Sequence, residues 1–263
     1  MTVENPSSGA ITTQSYWENE WENQALPLPI DPLSNPTEHH FYRLLDKLFS
    51  DHLPVTEQRT TRLLEIGCGT SRWLPYFSTR FGLEVSGIDY TTSGVRRAQA
   101  ILDNANVCGD IRQGDLFDPP SDWLGHFDIV VSFGVVEHFR HPADVLTACA
   151  RYLRPGGSMF TLVPTMRGLY GLAYRLLRPA IYRLHVPHTK TSLAAAHASA
   201  GLNVTESGYL LGLPSIITPP IRASRGIRLA YQACNIYSRV ERAGWGIPPN
   251  RFTSPYSYCV AVQ

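Results

Sequence analysis

The chain has 263 residues, with 23 basic and 22 acidic side chains and a formal net charge of +1. That length suits one large α/β domain or a domain with a cap, and a hydrophobic share of 43% is enough to build a core. The balanced charge gives no electrostatic case for nucleic acid, a membrane surface or an acidic partner, and no segment reads as a transmembrane span. Five cysteines (Cys68, Cys108, Cys149, Cys234 and Cys259) are scattered without a CxxC pair, which predicts reduced thiols in a cytoplasmic protein.

Residues 1–14 are polar and lack the basic start and apolar core of a signal peptide. "SYWENEWENQ" then sets Trp17 and Trp21 four apart on one helical face. The proline-rich "ALPLPIDPLSNP" stops any helix. "TEHHFYRLLDKLFSDHL" opens with a capping signal and carries Phe41, Leu44, Leu45 and Leu48 at helical spacing. Residues 1–59 thus read as a helical extension or cap, and 60–263 as the main domain.

From Thr61 short apolar runs alternate with helices. "RLLEIG", "EVSGID", "DIRQGD", "FDIVVSF" and "SMFTLVP" read as five strands, separated in part by helices over "RWLPYFSTRF", "TSGVRRAQAIL" and "PADVLTACARYL". "RPGG" ends the last of these helices. This alternation predicts a parallel sheet with helices on both faces and a ligand at the carboxyl ends of the strands. The rhythm breaks after Pro164, where residues 165–188 are rich in Tyr, Leu and Arg. A helix ("SLAAAHASAG"), a sixth strand ("LNVTESGYL"), a helix over about 225–243 and a closing strand ("SPYSYCVAV") follow. Residues 165–188 and 211–252 are read as cap insertions.

Gly67 and Gly69 lie where the first strand hands over to a helix, and glycine there lets a ligand approach the main chain. Three carboxylates give the turn its character. Glu65 directly precedes it. Asp89 ends the second strand 22 residues beyond Gly67, where a carboxylate can accept from ribose hydroxyls. Asp115 follows the third strand, placed to accept from an adenine amino group. A pyrophosphate does not suit this loop: Glu65 adds negative charge, the third fingerprint glycine is absent, and there is no GK[ST] sequence. A phosphate-free nucleoside carrying a cationic group suits it better, and S-adenosylmethionine is such a ligand.

"LLEIGCGTS", "GIDY", "QGDLF", "FDIVVSFGVVEHF" and "LRPGG", in that order, resemble the class I S-adenosylmethionine-dependent methyltransferases over residues 61–163, with a weaker echo from Thr189 to Val204. The resemblance implies a Rossmann-like seven-stranded sheet in the order 3-2-1-4-5-7-6, its last strand antiparallel. It implies that Gly67, Cys68 and Gly69 pass the cofactor's amino acid portion, and that Asp89 binds the ribose. It sets Tyr90 on the adenine, Asp115 and Leu116 at the adenine edge, and Phe133 beside the methionine moiety. Ser71 stands where the family pattern has its last glycine. "YWENEWENQALP" is similar to N-terminal segments that close over the cofactor in some small-molecule methyltransferases.

Methyl transfer to a hydroxyl needs a proton acceptor, commonly histidine. His138 in "VVEHF" follows the fourth strand, where the reacting centre should lie, and is the candidate base. Glu137 is read as structural and His141 as a helix-start residue. His185 and His188 are secondary candidates, and Trp17, Tyr170 and Tyr174 are candidate substrate contacts. Paired acidic metal ligands are not evident, so no metal is expected. The predicted function is methylation of a small organic acceptor, foremost an O-methyl transfer in specialised metabolism. Thiol or amine methylation, a nucleotide-dependent oxidoreductase and a non-catalytic binding module stand as alternatives. A homodimer is compatible with the sequence.

Overall fold

A computed structural model describes residues 9–22, 24–28, 30, 39–53, 60–213, 232, 236–237, 239–241 and 243–263. The first eight residues, the Thr37/Glu38 capping signal, Cys234 and most of the helix expected over 225–243 lie outside them.

The elements are α1 (Gln14–Glu22), α2 (His39–His52), β1 (Arg62–Ile66), α3 (Trp73–Phe81), β2 (Glu84–Asp89), α4 (Thr92–Asn104), β3 (Gly109–Gln113), β4 (Phe127–Phe133), α5 (Pro142–Ala150), β5 (Leu153–Pro164), α6 (Gly168–Leu177), α7 (Pro179–Arg183), α8 (Lys190–Ser199), β6 (Asn203–Leu210) and β7 (Tyr256–Val262). Single 3₁₀ turns occupy Ser121–Trp123 and Val136–His138. The seven strands form one sheet in the order β3-β2-β1-β4-β5-β7-β6. β1 to β5 run parallel, and β7 pairs antiparallel with both β5 and β6. This is the topology that the family resemblance implies.

Both faces of the sheet are covered, which is why β1 and β4 read as continuous apolar runs. On one face Leu63, Ile129 and Val131 meet Phe41, Leu45 and Phe49 of α2, Leu74 and Phe77 of α3, and Leu102 of α4. On the other, Leu64, Ile66 and Val130 meet Val145 and Cys149 of α5 and Leu193 of α8. The helical extension is therefore not peripheral throughout, because α2 shares the main core.

β5 begins earlier than the sequence predicts. Leu153 already pairs with Phe127, and the ladder resumes at Ser158 opposite Ile129. "RPGG" is thus an irregular loop within the strand, with Gly156 at φ +75°, rather than the stop between helix and strand. The buried carboxylate of Asp128 holds it, accepting from the Arg154 guanidinium and from Arg62 N at 2.9 Å.

α8 is fixed by a hidden histidine. His197 is fully buried; its Nδ1 lies 2.8 Å from the Leu193 carbonyl, so that nitrogen carries the proton. Nε2 then accepts from the Thr161 hydroxyl at 2.9 Å. Thr161→Val keeps the volume but strands that lone pair. It should cost about 1–3 kcal/mol, read as a lower midpoint in urea unfolding.

Candidate functional site

The site lies at the carboxyl ends of β1, β2 and β4, where an open α/β sheet presents its loops. Gly67 has φ +72°, and a Cβ there would stand 2.5 Å from Val135 Cγ2. Its N–H and that of Cys68 both reach the Ile88 carbonyl, at 2.8 and 3.2 Å. Gly69 N donates to Asp89 Oδ2 at 2.9 Å. The loop is therefore stitched to the end of β2. Cys68 turns its side chain into the core, against Gly87, so only its main chain faces the loop.

Glu65 sits beneath the turn, 2% exposed, with Oε2 accepting from the Ser71 hydroxyl at 2.5 Å. Ser71 Oγ also accepts from Trp73 N at 3.0 Å. The residue that departs from the glycine pattern thus joins the carboxylate to the start of α3. Burial pushes the Glu65 carboxyl up to about 8.

Asp89 is 4% exposed and engaged on both oxygens. Oδ1 accepts from Thr91 N at 2.9 Å and Thr91 Oγ1 at 2.6 Å, and Oδ2 takes the Gly69 amide. Burial still holds its carboxyl above the usual range. Tyr90 is exposed at 38%, and its carbonyl accepts from Gln14 and Gln113 side chains at 2.8 and 3.3 Å. Asp115 is exposed and closes a turn by accepting from Phe117 N at 3.0 Å. Leu116 packs half-buried against the second core cluster. Phe133 turns its ring toward Trp73, 5.2 Å away between centroids, and toward Phe49 and Phe77.

Helix α1 covers this loop. A Cβ on Gly69 would meet the Trp21 indole at 2.8 Å. Trp21 stacks on Trp17 at 5.0 Å, and Trp17 stands edge-on to His138 at 5.1 Å. Between the two, Glu18 caps α4, accepting from Thr92 N at 2.7 Å and Ser93 N at 2.9 Å. Those are orphan donors at the positive end of the helix. Sequence reasoning set Trp21 beside Trp17 on one helical face without making it a site residue, and missed Glu18.

Beyond β4, the 3₁₀ turn Val136–His138 brings Glu137 and His138 inward, 1% and 5% exposed. His138 Nδ1 lies 2.6 Å from the Leu184 carbonyl, and His185 Nδ1 lies 2.8 Å from the Ile181 carbonyl. Carbonyls only accept, so each Nδ1 carries a proton and each Nε2 offers a lone pair. The two rings are 4.6 Å apart. Burial lowers both imidazoles, His138 to about 4. Glu137 Oε1 is 3.9 Å from His138 Nε2, its Oε2 is buried without a partner, and burial lifts its carboxyl to about 8.

Glu137, His138 and His185 each place one ligand atom within 4.8 Å of the others, a donor set of the kind that binds zinc. Ligands around one such ion stand about 3.4 Å apart, so the side chains would have to close in. His188 lies apart from them by its bonding. It is buried, its backbone N–H donates to the Thr165 carbonyl at 3.1 Å, its Nε2 has no partner, and burial lowers the imidazole to about 4. Tyr170 is buried on α6 with the Tyr174 ring at 4.9 Å, and burial pushes its phenol up. His141 is the residue that precedes α5, as expected.

A family model described as "Methyltransferase domain" matches residues 37–207. A ubiquinone biosynthesis O-methyltransferase from Xanthomonas oryzae pv. oryzae is 33% identical over 99 residues, covering 38% of this chain and 41% of that protein. Its counterpart from Nitrobacter winogradskyi is 37% identical over 98 residues, 37% of this chain and 36% of that protein. The matched region thus spans only about two fifths of the length of these curated relatives. The crystal structure of geranyl diphosphate C-methyltransferase from Streptomyces coelicolor A3(2), solved with Mg²⁺, geranyl-S-thiolodiphosphate and S-adenosyl-L-homocysteine, superposes with a TM-score of 0.63. It is 17% identical, over 96% of this chain and 99% of that chain, which is a likeness of fold.

The geometry of the loop makes one position sensitive. Gly67→Ala meets both a left-handed backbone and the Val135 side chain. It should lower stability by about 1–3 kcal/mol and weaken ligand binding at the loop, measured by denaturant unfolding and by calorimetric titration.

Proposed function

The chain belongs to the methyltransferase-domain family whose model spans residues 37–207, and from that membership we propose that it transfers a methyl group from S-adenosylmethionine to a hydroxyl of a small organic acceptor. The observation that carries this reading is the loop itself. Gly67 and Gly69 expose backbone between two buried carboxylates, Glu65 and Asp89. A pyrophosphate would meet the Asp89 carboxylate, which already accepts the Gly69 amide, whereas a cationic, phosphate-free nucleoside would not be repelled by it.

The residues fit that group. Gly67 to Gly69 hold its amino acid portion, Asp89 the ribose, Tyr90 the adenine face, and Asp115 with Leu116 the adenine edge. When bound, S-adenosylmethionine supplies an electrophilic methyl carbon on a sulfonium leaving group. The indole of Trp21 rests on Gly69, so α1 must move for a ligand to reach the loop, and its return excludes water. His138 acts as the proton acceptor through Nε2. Leu184 fixes the tautomer that leaves this nitrogen unprotonated, and its low basicity keeps it neutral at physiological pH. Glu137 Oε1 stands 3.9 Å from that nitrogen and, in its ionised form, would stabilise the protonated ring. Trp17, Tyr170, Tyr174, His185 and His188 belong to the acceptor's surroundings. The named activity of the curated relatives supports oxygen as the methylated atom, and a role in specialised metabolism extends the same reading.

Equilibrium dialysis against labelled S-adenosylmethionine and, in parallel, NAD tests the cofactor. Retention of NAD alone would sink the proposal. With a turned-over hydroxyl acceptor, His138→Ala should lower kcat by about 10²- to 10⁴-fold, while unimpaired turnover at saturating acceptor would remove His138 as the base.

The pH profile is a second test. A histidine lowered to about 4 keeps its lone pair through mildly acidic pH. The acid limb of kcat/KM should therefore fall with an apparent pKa below 5, not near the ordinary histidine value of about 6.5. Initial rates at short times separate this from unfolding.

A further inference from the structure

Helix α6 faces the wrong way for an ordinary surface helix. Tyr170 and Gly171 are buried, whereas Leu169, Leu172 and Leu176 are 59%, 50% and 70% exposed. Their three- and four-residue spacing puts these leucines on one stripe, opposite the buried tyrosine. Leu177, 67% exposed, widens it at the carboxyl end. Phe252, whose carbonyl accepts from Leu169 N at 2.8 Å, is exposed too and extends the stripe at the other end. Scattered exposed leucines need no explanation, but a contiguous outward apolar face does.

Charge selects the partner. Arg167, Arg175, Arg178 and Arg183 frame this face, and Lys190 follows, while no Asp or Glu occurs between Asp144 and Glu206. Among the described residues these four arginines make no ion pair. Leucines pointing outward with arginines along their flanks match a helix that lies in the plane of a bilayer interface. The arginines reach anionic headgroups. No described helix is long and apolar enough to span a membrane, so the contact would be peripheral.

We propose that α6 and α7 dock the protein on an anionic lipid surface, with Leu169, Leu172, Leu176 and Leu177 entering the interface and the four arginines binding phosphate headgroups. The same segment continues to Leu184 and His185, which contact His138. The docked face thus adjoins the wall of the reaction site, where an acceptor partitioned in the bilayer would arrive.

Co-sedimentation of the full chain with vesicles tests the docking without reference to turnover. Vesicles of phosphatidylcholine with about a third phosphatidylglycerol should pellet the protein, pure phosphatidylcholine much less, and added salt should release it. Leu172→Asp with Leu176→Asp should weaken anionic-vesicle binding at least about tenfold. Arg175→Glu with Arg178→Glu should abolish the preference for anionic lipid. Both pairs of substitutions are at the surface, so unchanged thermal unfolding confirms that they report binding. Absence of pelleting with either lipid, or equal binding by the leucine variant, would overturn the proposal. So would a wild-type dimer on gel filtration that the leucine variant dissolves without any vesicle binding, because a second copy would then be the partner. Vesicle binding without methyl transfer would refute the enzymatic reading and leave the docking intact.

Discussion

Asp89 is the constraint on which the site depends. It is nearly removed from water, and a carboxylate in that position is costly unless its lone pairs are filled. Three donors take most of them, the Gly69 amide from the loop and the amide and hydroxyl of Thr91 from the start of α4, which leaves Oδ2 one site for a ligand. The glycines on either side make this possible. A Cβ on Gly94 would stand 2.7 Å from Asp89 Oδ1, so α4 can begin this close only without a side chain there. The exposed backbone of the loop and the position of α4 therefore follow from one carboxylate. Helix α1 is tied in through the same junction, since Glu18 caps the amides that come just after Thr91.

The second half of the site is governed by desolvation instead. Glu137 is pushed up while His138, His185 and His188 are pushed down, and burial is the largest cause in every case. Both shifts favour the uncharged forms. A region rich in titratable groups is thus close to neutral at physiological pH, a setting in which one arriving proton has a large electrostatic effect. Position comes from the backbone. Ile11 N donates to the His138 carbonyl, Val186 N to the Glu137 carbonyl, and the Leu184 carbonyl orients the His138 ring. The N-terminal segment and the insertion after β5, far apart in sequence, meet on a single 3₁₀ turn.

The sheet was legible because its strands carry the apolar runs that two-sided burial requires, with turn residues between them. The loop residues were legible because glycines and carboxylates at strand ends are rare enough to be informative. Where the reading failed, the cause was tertiary. "RPGG" has the local chemistry of a stop, yet Asp128 and Arg154 hold it within a strand. Ser71 looked like a defect in a glycine pattern, whereas its hydroxyl bridges Glu65 and α3. Trp21 and Glu18 act on elements about 50 and 75 residues away, and no local pattern encodes such a meeting.

The net charge is a coarse guide for a related reason. A total of +1 over the chain argues against an anionic surface as a partner, but screening confines electrostatics to about 8–10 Å. What a surface feels is the charge within that distance. From Val145 to Thr205 every charged side chain is basic, and the compensating carboxylates lie elsewhere in the sequence. Helix α6 concentrates the contrast: its tyrosine face belongs to the protein, and its leucine face has no described protein neighbour to account for it. A composition averaged over a whole chain cannot register a face one helix wide, whereas burial, resolved residue by residue, can.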